Sequence, residues 1–166
     1  QAAHVPLIKN VKGIKIAFLG YTDLISSSLG LKTSKPAIAY LNIEQAIADI
    51  KEARKLADLV VVSVHWGNEY ETTHNRNQEK TAKAFIDAGA QLIVGHHPHV
   101  VQPVEEYGGG YIAYSLGNFV FDQNFSPDTK NGLALKVILR NQKIAQIEKV
   151  AISFNRSFQP FIVKTY

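Results

Sequence analysis

Four of the six histidines in this chain sit where two short apolar runs end: His65 follows the run 59–64, and His96, His97 and His99 follow the run 92–94. Neutral imidazole is a good ligand for Zn, Mn, Fe or Ni. Imidazoles converging on a divalent cation point to metal-assisted hydrolysis. One histidine at a strand end is ordinarily a hydrogen-bonded structural residue. Three within four positions, preceded by Gly95 and faced by a fourth, form a different pattern. Pro98 restricts the residue before it to extended backbone, and in an extended segment alternate side chains share a side. His97 and His99 are therefore expected on one side and His96 on the other. His65, His97 and His99 are the expected metal ligands, leaving His96 to steady a ligand or touch a substrate. His4 reads as a solvated terminal residue and His74 as a loop residue that could line the pocket.

The elements that must position these side chains follow from periodicity. Residues 14–19 alternate as a mostly buried strand after a Lys12-Gly13 turn, and residues 26–36 read as a loop. Asn42 with Gln45 marks a helix start, and apolar residues at helical spacing carry that helix from about Ile43 to Ala57. The run 59–64 is rich in β-branched residues, the composition of a parallel strand covered on both faces. Asn75 with Gln78 opens a second helix, stopped by Gly89, and residues 92–94 form the next strand. Strand, helix and strand over this length predict a βαβ unit with parallel, neighbouring strands. Their ends would lie about 4.8 Å apart, on the side of an open sheet where ligands bind. Beyond Pro103 the texture changes: residues 100–107 and 111–115 flank three glycines as a hairpin, and residues 133–140 turn at Asn141-Gln142 into 144–154. The last third is expected to be antiparallel.

The chain has 166 residues, 46% hydrophobic and 19% charged, which excludes a disordered, collagen-like or coiled-coil chain. No apolar run approaches the roughly 20 residues of a membrane span. There is no cysteine, so a metal must rest on His, Asp, Glu or Asn. The net charge of +4 is spread without the dense or aromatic-interleaved basic stripe of a nucleic-acid binder, and no nucleic acid is expected as a partner. Only a mild preference for anionic ligands follows.

Four blocks carry a further resemblance: Val62-Ser63-Val64-His65-Trp66-Gly67-Asn68-Glu69-Tyr70, Asp87-Ala88-Gly89-Ala90, Gly95-His96-His97-Pro98-His99-Val100-Val101-Gln102-Pro103, and Tyr114-Ser115-Leu116-Gly117-Asn118-Phe119-Val120-Phe121-Asp122. In order and spacing they closely resemble the CapA-type capsule synthesis, or poly-γ-glutamate synthesis, family. That family looks like a branch of the calcineurin-like metallophosphoesterases. The resemblance implies an α/β fold, a metallophosphoesterase-like α/β/β/α sandwich with two divalent ions (Mn, Zn or Fe) at the strand ends. Residues 1–166 are then expected to be a single domain forming the C-terminal portion of a larger one, βαβ units followed by antiparallel strands.

His65 matches the superfamily's lone histidine after a strand. Gly95 to His99 matches its Gly-His-x-His with one extra residue, so either His96 or His97 takes the first position. His96 and Asn118 are the expected catalytic residues, with Asn118 also readable as a turn residue. Trp66, Glu69, His74 and Asp122 are the expected substrate contacts, though a tryptophan such as Trp66 is more often a packing residue than a substrate platform. The superfamily's early motifs, an Asp-bearing first strand, a second acidic segment and an Asn-His segment, are not found. Half a site is expected, with weak metal binding.

The implied role is making, exporting or trimming an anionic extracellular polymer such as poly-γ-glutamate. The implied place is outside the cytoplasmic membrane, in the cell envelope or held to the membrane by a segment not in this chain. Partners would be the polymer and possible capsule-synthesis membrane proteins. The alternatives are a metallophosphatase acting on a phosphoester and a non-catalytic module that binds or assembles polymer.

Overall fold

The computed structural model describes residues 2–24 and 38–165; the expected loop at 26–36 lies outside them. The first element is a hairpin. β1 (Leu7–Val11) pairs antiparallel with β2 (Ile14–Thr22) around Lys12 and Gly13, at φ 52° and 86°. Glycine is at home there and lysine is not. The hairpin also makes β2 longer than the sequence suggested, running past Leu19 to Thr22.

Both expected helices form, with the expected caps. In α1 (Ile43–Leu56) the Asn42 side chain accepts from the Gln45 N–H at 2.9 Å. In α2 (Arg76–Asp87) Asn75 and Gln78 cap each other reciprocally, both bonds 2.9 Å. Each such cap contributes about 1 kcal/mol. Between and after them lie β3 (Leu59–His65) and β4 (Leu92–His96), parallel neighbours as expected.

β5 (Val104–Tyr107) and β6 (Gly110–Ala113) complete a six-stranded sheet of order β1-β2-β3-β4-β6-β5. Here the expectation of an antiparallel last third needs correction. β6 is antiparallel to β5 but parallel to β4, because the hairpin enters the sheet at its second strand. The hairpin strands are also shorter than read, leaving 100–103 and 114–115 as connections.

Alternation decides which face of the sheet is covered. Ala17, Leu19 and Tyr21 of β2 and Val60, Val62 and Val64 of β3 are buried in one cluster with Ile50 and Ala53 of α1 and Ala82, Phe85 and Ile86 of α2. Burying each large apolar side chain stabilises by about 1.5–3 kcal/mol. β7 (Asn131–Arg140), β8 (Lys143–Phe154) and β9 (Pro160–Thr165) form a separate antiparallel sheet. It joins the first through a Gly117–Gly132 bridge and a bond from the Leu133 N–H to the Leu116 carbonyl at 2.8 Å. The chain is thus α/β with a mixed sheet followed by antiparallel strands. No helix among the described residues is long and apolar enough to cross a membrane.

Candidate metal centre

Three parallel strands end in step. Thr22, His65 and His96 share one register line across β2, β3 and β4. Just outside, the Asp23 N–H donates to the His65 carbonyl (3.1 Å) and the Trp66 N–H to the His96 carbonyl (3.0 Å). The chain after β3 then folds back: the Tyr70 N–H donates to the Pro98 carbonyl at 2.8 Å, with Gly67 at φ 87° and Tyr70 at φ 65°. A side chain at position 67 would meet Gln78 at 2.7 Å, so this turn depends on its glycine. The turn delivers Glu69: one potential ligand atom each from Glu69, His97 and His99 all lie within 4.8 Å of one another.

The loop carrying the histidines is not extended, contrary to the reading from Pro98. His97 has φ 100° and His99 φ 60°. β4 stops at His96, whose carbonyl is taken by Trp66, and the chain must turn at once to meet Tyr70. The positive φ at His97 breaks the side-to-side alternation, so His96 is not set apart. It pairs with His65 in register and feels that residue's charge, while the His65 and His97 rings lie 4.7 Å apart. His97 and His99 still come together, through the turn rather than through extension.

The electrostatics favour neutral imidazole. Burial holds the pKa of His96 below the usual range, with His65 adding to the shift. Burial and then His65 do the same to His97, against the opposing pull of Glu69 and Asp23. The Thr22 hydroxyl gives its proton to the Leu24 carbonyl (3.0 Å), so it can only accept from His65 Nδ1 at 3.2 Å. That leaves a lone pair on His65 Nε2, facing away from Thr22. Asn118 stands in a similar place behind His99, its Oδ1 2.9 Å from Nδ1. Neutral imidazoles beside a carboxylate are a donor set that fits Mn, Fe or Zn.

Asp23 went unnoticed in the sequence. It lies one residue past β2 and is close enough to His97 and His65 for both to act on its carboxyl, while burial, the larger influence, raises its pKa. With β2 ended at Leu19, nothing marked Asp23 as a strand-end residue. Glu69, expected to line the cleft, lies among the potential ligands.

The remaining expected contacts are scattered. Trp66 is 1% exposed and its Nε1 donates to the Tyr114 carbonyl at 2.9 Å, so it packs the core and offers no face to a substrate. His74 lies flat on the Tyr114 ring, 3.7 Å away. Asp122 is exposed, next to an aromatic rim that sequence reasoning did not foresee. In that rim Tyr70 stacks on His99 and meets Phe125 edge-on at 5.2 Å, while Phe121 lies 5.0 Å from His99.

The family described as bacterial capsule synthesis protein PGA_cap matches residues 1–123. The PGA biosynthesis protein CapA of Bacillus subtilis (strain 168) is 41% identical over 149 residues, 90% of this chain and 39% of that protein. The capsule biosynthesis protein CapA of Bacillus anthracis is 40% identical over 87% of this chain and 36% of its own length. The chain therefore spans less than two-fifths of these curated relatives. Among solved structures, a putative 5'-nucleotidase from Staphylococcus aureus aligns over 97% of this chain and 28% of its own, at 12% identity and TM-score 0.49. With the family match covering residues 1–123 and relatives about 40% identical over most of its length, this chain belongs to the PGA_cap family of bacterial capsule synthesis proteins.

Proposed function

We propose that the protein is a metal-dependent hydrolase in the biosynthesis of an anionic capsule polymer of the poly-γ-glutamate kind, acting outside the cytoplasmic membrane. The carrying observation is the meeting of Glu69, His97 and His99, with His65 beside them, at the strand ends of a PGA_cap chain. Glu69, His97, His99 and His65 would hold a divalent cation there. Such a cation supplies Lewis acidity toward a carbonyl or phosphoryl oxygen and lowers the pKa of water. His96, uncharged at neutral pH, can take or return a proton beside that centre. Tyr70, Phe121 and Phe125 would offer apolar faces to the methylene stems of a glutamyl chain, and the contacts of Tyr70 and Phe121 with the His99 ring support a place for that chain beside the candidate centre.

The test is polymer length after incubation with the full-length protein, with and without a chelator and metal add-back, beside phosphate release from p-nitrophenyl phosphate. Metal-dependent shortening of poly-γ-glutamate, lost in His97→Ala, is expected. Phosphate release with the polymer left intact would replace this reading by a phosphatase. Neither activity, with capsule production surviving His97→Ala, would leave a binding or assembly module.

A further inference from the structure

We propose that Asn118 is the positioning residue that commits His99 to the divalent-cation site it shares with Glu69 and His97. The inference rests on the metal-dependent reading above and adds Asn118 to it. The expectation of weak binding counted imidazoles alone. Glu69 changes that count, because a carboxylate offsets part of the cation's charge and two imidazoles with one carboxylate form a competent ligand set.

The role of Asn118 follows from which atoms can donate. Its Nδ2 lies 2.9 Å from the Thr129 carbonyl, which can only accept. The amide is therefore oriented with Oδ1 toward His99 Nδ1, 2.9 Å away, and Oδ1 can only accept as well. Nδ1 must carry the proton, and the lone pair of His99 is left on Nε2. A flipped amide would set oxygen against oxygen at Thr129.

The partner that sets this orientation is itself held in place. Asn118 is 5% exposed and Thr129 is fully buried. Thr129 is held by its hydroxyl on the Ser126 carbonyl at 3.1 Å and by its N–H on Ser126 Oγ at 3.1 Å. Gly132 passes so close that a Cβ there would lie 2.0 Å from the backbone carbonyl oxygen of Asn118, which fixes the main chain that carries the amide. The tautomer of His99 is thus written by a backbone carbonyl two bonds away through a buried amide, the kind of support that sets ligand basicity and orientation.

Two measurements test this. Cobalt(II) titration followed by visible absorption should give one ion per chain. Asn118→Leu should weaken it about 10- to 100-fold, the usual effect of removing a ligand's hydrogen-bond partner. Glu69→Gln, on an exposed side chain whose change leaves folding intact, should weaken it at least as much. The urea midpoint of Asn118→Leu, read beside its cobalt affinity, separates positioning from a general loss of fold: a variant that is still folded at the titration temperature and binds cobalt weakly has lost positioning. Nitrogen-15 spectra of the metal-free protein should show His99 with Nδ1 protonated in wild type and a tautomer mixture in Asn118→Leu. Wild-type cobalt binding that is unchanged in Glu69→Gln and Asn118→Leu would overturn the inference and leave the metal-dependent reading standing. Absence of cobalt binding in wild type would overturn both. A failed polymer assay with intact cobalt binding would count against the hydrolase alone.

Discussion

β3 and β9 are both apolar strands, and the molecule treats them in opposite ways. Leu59, Val60, Val62 and Val64 are at most 3% exposed, whereas Phe161, Ile162 and Val163 are 51%, 67% and 59% exposed. β3 lies between two parallel neighbours with helices over one face; β9 is the edge of a three-stranded sheet with no described helix above it. Apolar composition therefore says how readily a segment becomes a strand and little about what will cover it. The difference also tracks chemistry. The covered sheet fixes the ends of its strands to a common line and hangs the candidate centre there. The open sheet meets the segment that leads to that centre at the Gly117–Gly132 bridge, the Leu133–Leu116 bond and the stretch around Asn118.

This contrast can be broken or sharpened by experiment. Phe85→Ala removes a fully buried ring beneath the covered sheet and should cost about 3–5 kcal/mol in urea unfolding; a loss under 1 kcal/mol would mean that the core relaxes freely. Gly95→Ala puts a methyl 1.9 Å from the Tyr114 carbonyl oxygen and 2.6 Å from Trp66 Nε1. It should cost about 1–3 kcal/mol or more by overpacking, measured the same way. Acid should act on the covered sheet next, in metal-free protein. His96 and His97 have folded pKa values below their unfolded ones, so between about pH 6.5 and those folded values the unfolded chain holds more protons. Their contribution is intact above about pH 6.5 and lost as pH falls through the folded values. The urea midpoint should drop from pH 7.5 to 5.5, and a His96→Gln/His97→Gln variant should drop less. Ile162→Ala on the open sheet should change stability by less than about 0.5 kcal/mol. A larger loss would show that something covers β9 in solution.

Local physics made much of this legible in advance. Both helix caps, the β-branched run of β3 and the grouping of histidines at strand ends are short-range signals, and each is where residue type and spacing put it. What escaped depended on contacts distant in sequence or on unusual backbone. β1 escaped because all five of its residues are exposed, so no alternation marks it. Asp23 escaped with the true end of β2. Glu69 reaches the histidines through Gly67 and Tyr70 at positive φ, and for Tyr70 no residue preference announces that conformation. The parallel seat of β6 beside β4 is a non-local choice that the three glycines of its hairpin do not encode. The resemblance to capsule proteins supplied the family, and it could not supply the turn that brings Glu69 in.

The support behind His99 also has a consequence in time. Asn118 lies 19 residues beyond His99, and the Trp66 bond to Tyr114 that closes the base of the site spans 48 residues. Neither contact can form from local structure, since long loops must close before they bring any return. A nascent chain still holding Asn118 inside the ribosome has its first βαβ unit available and no oriented His99.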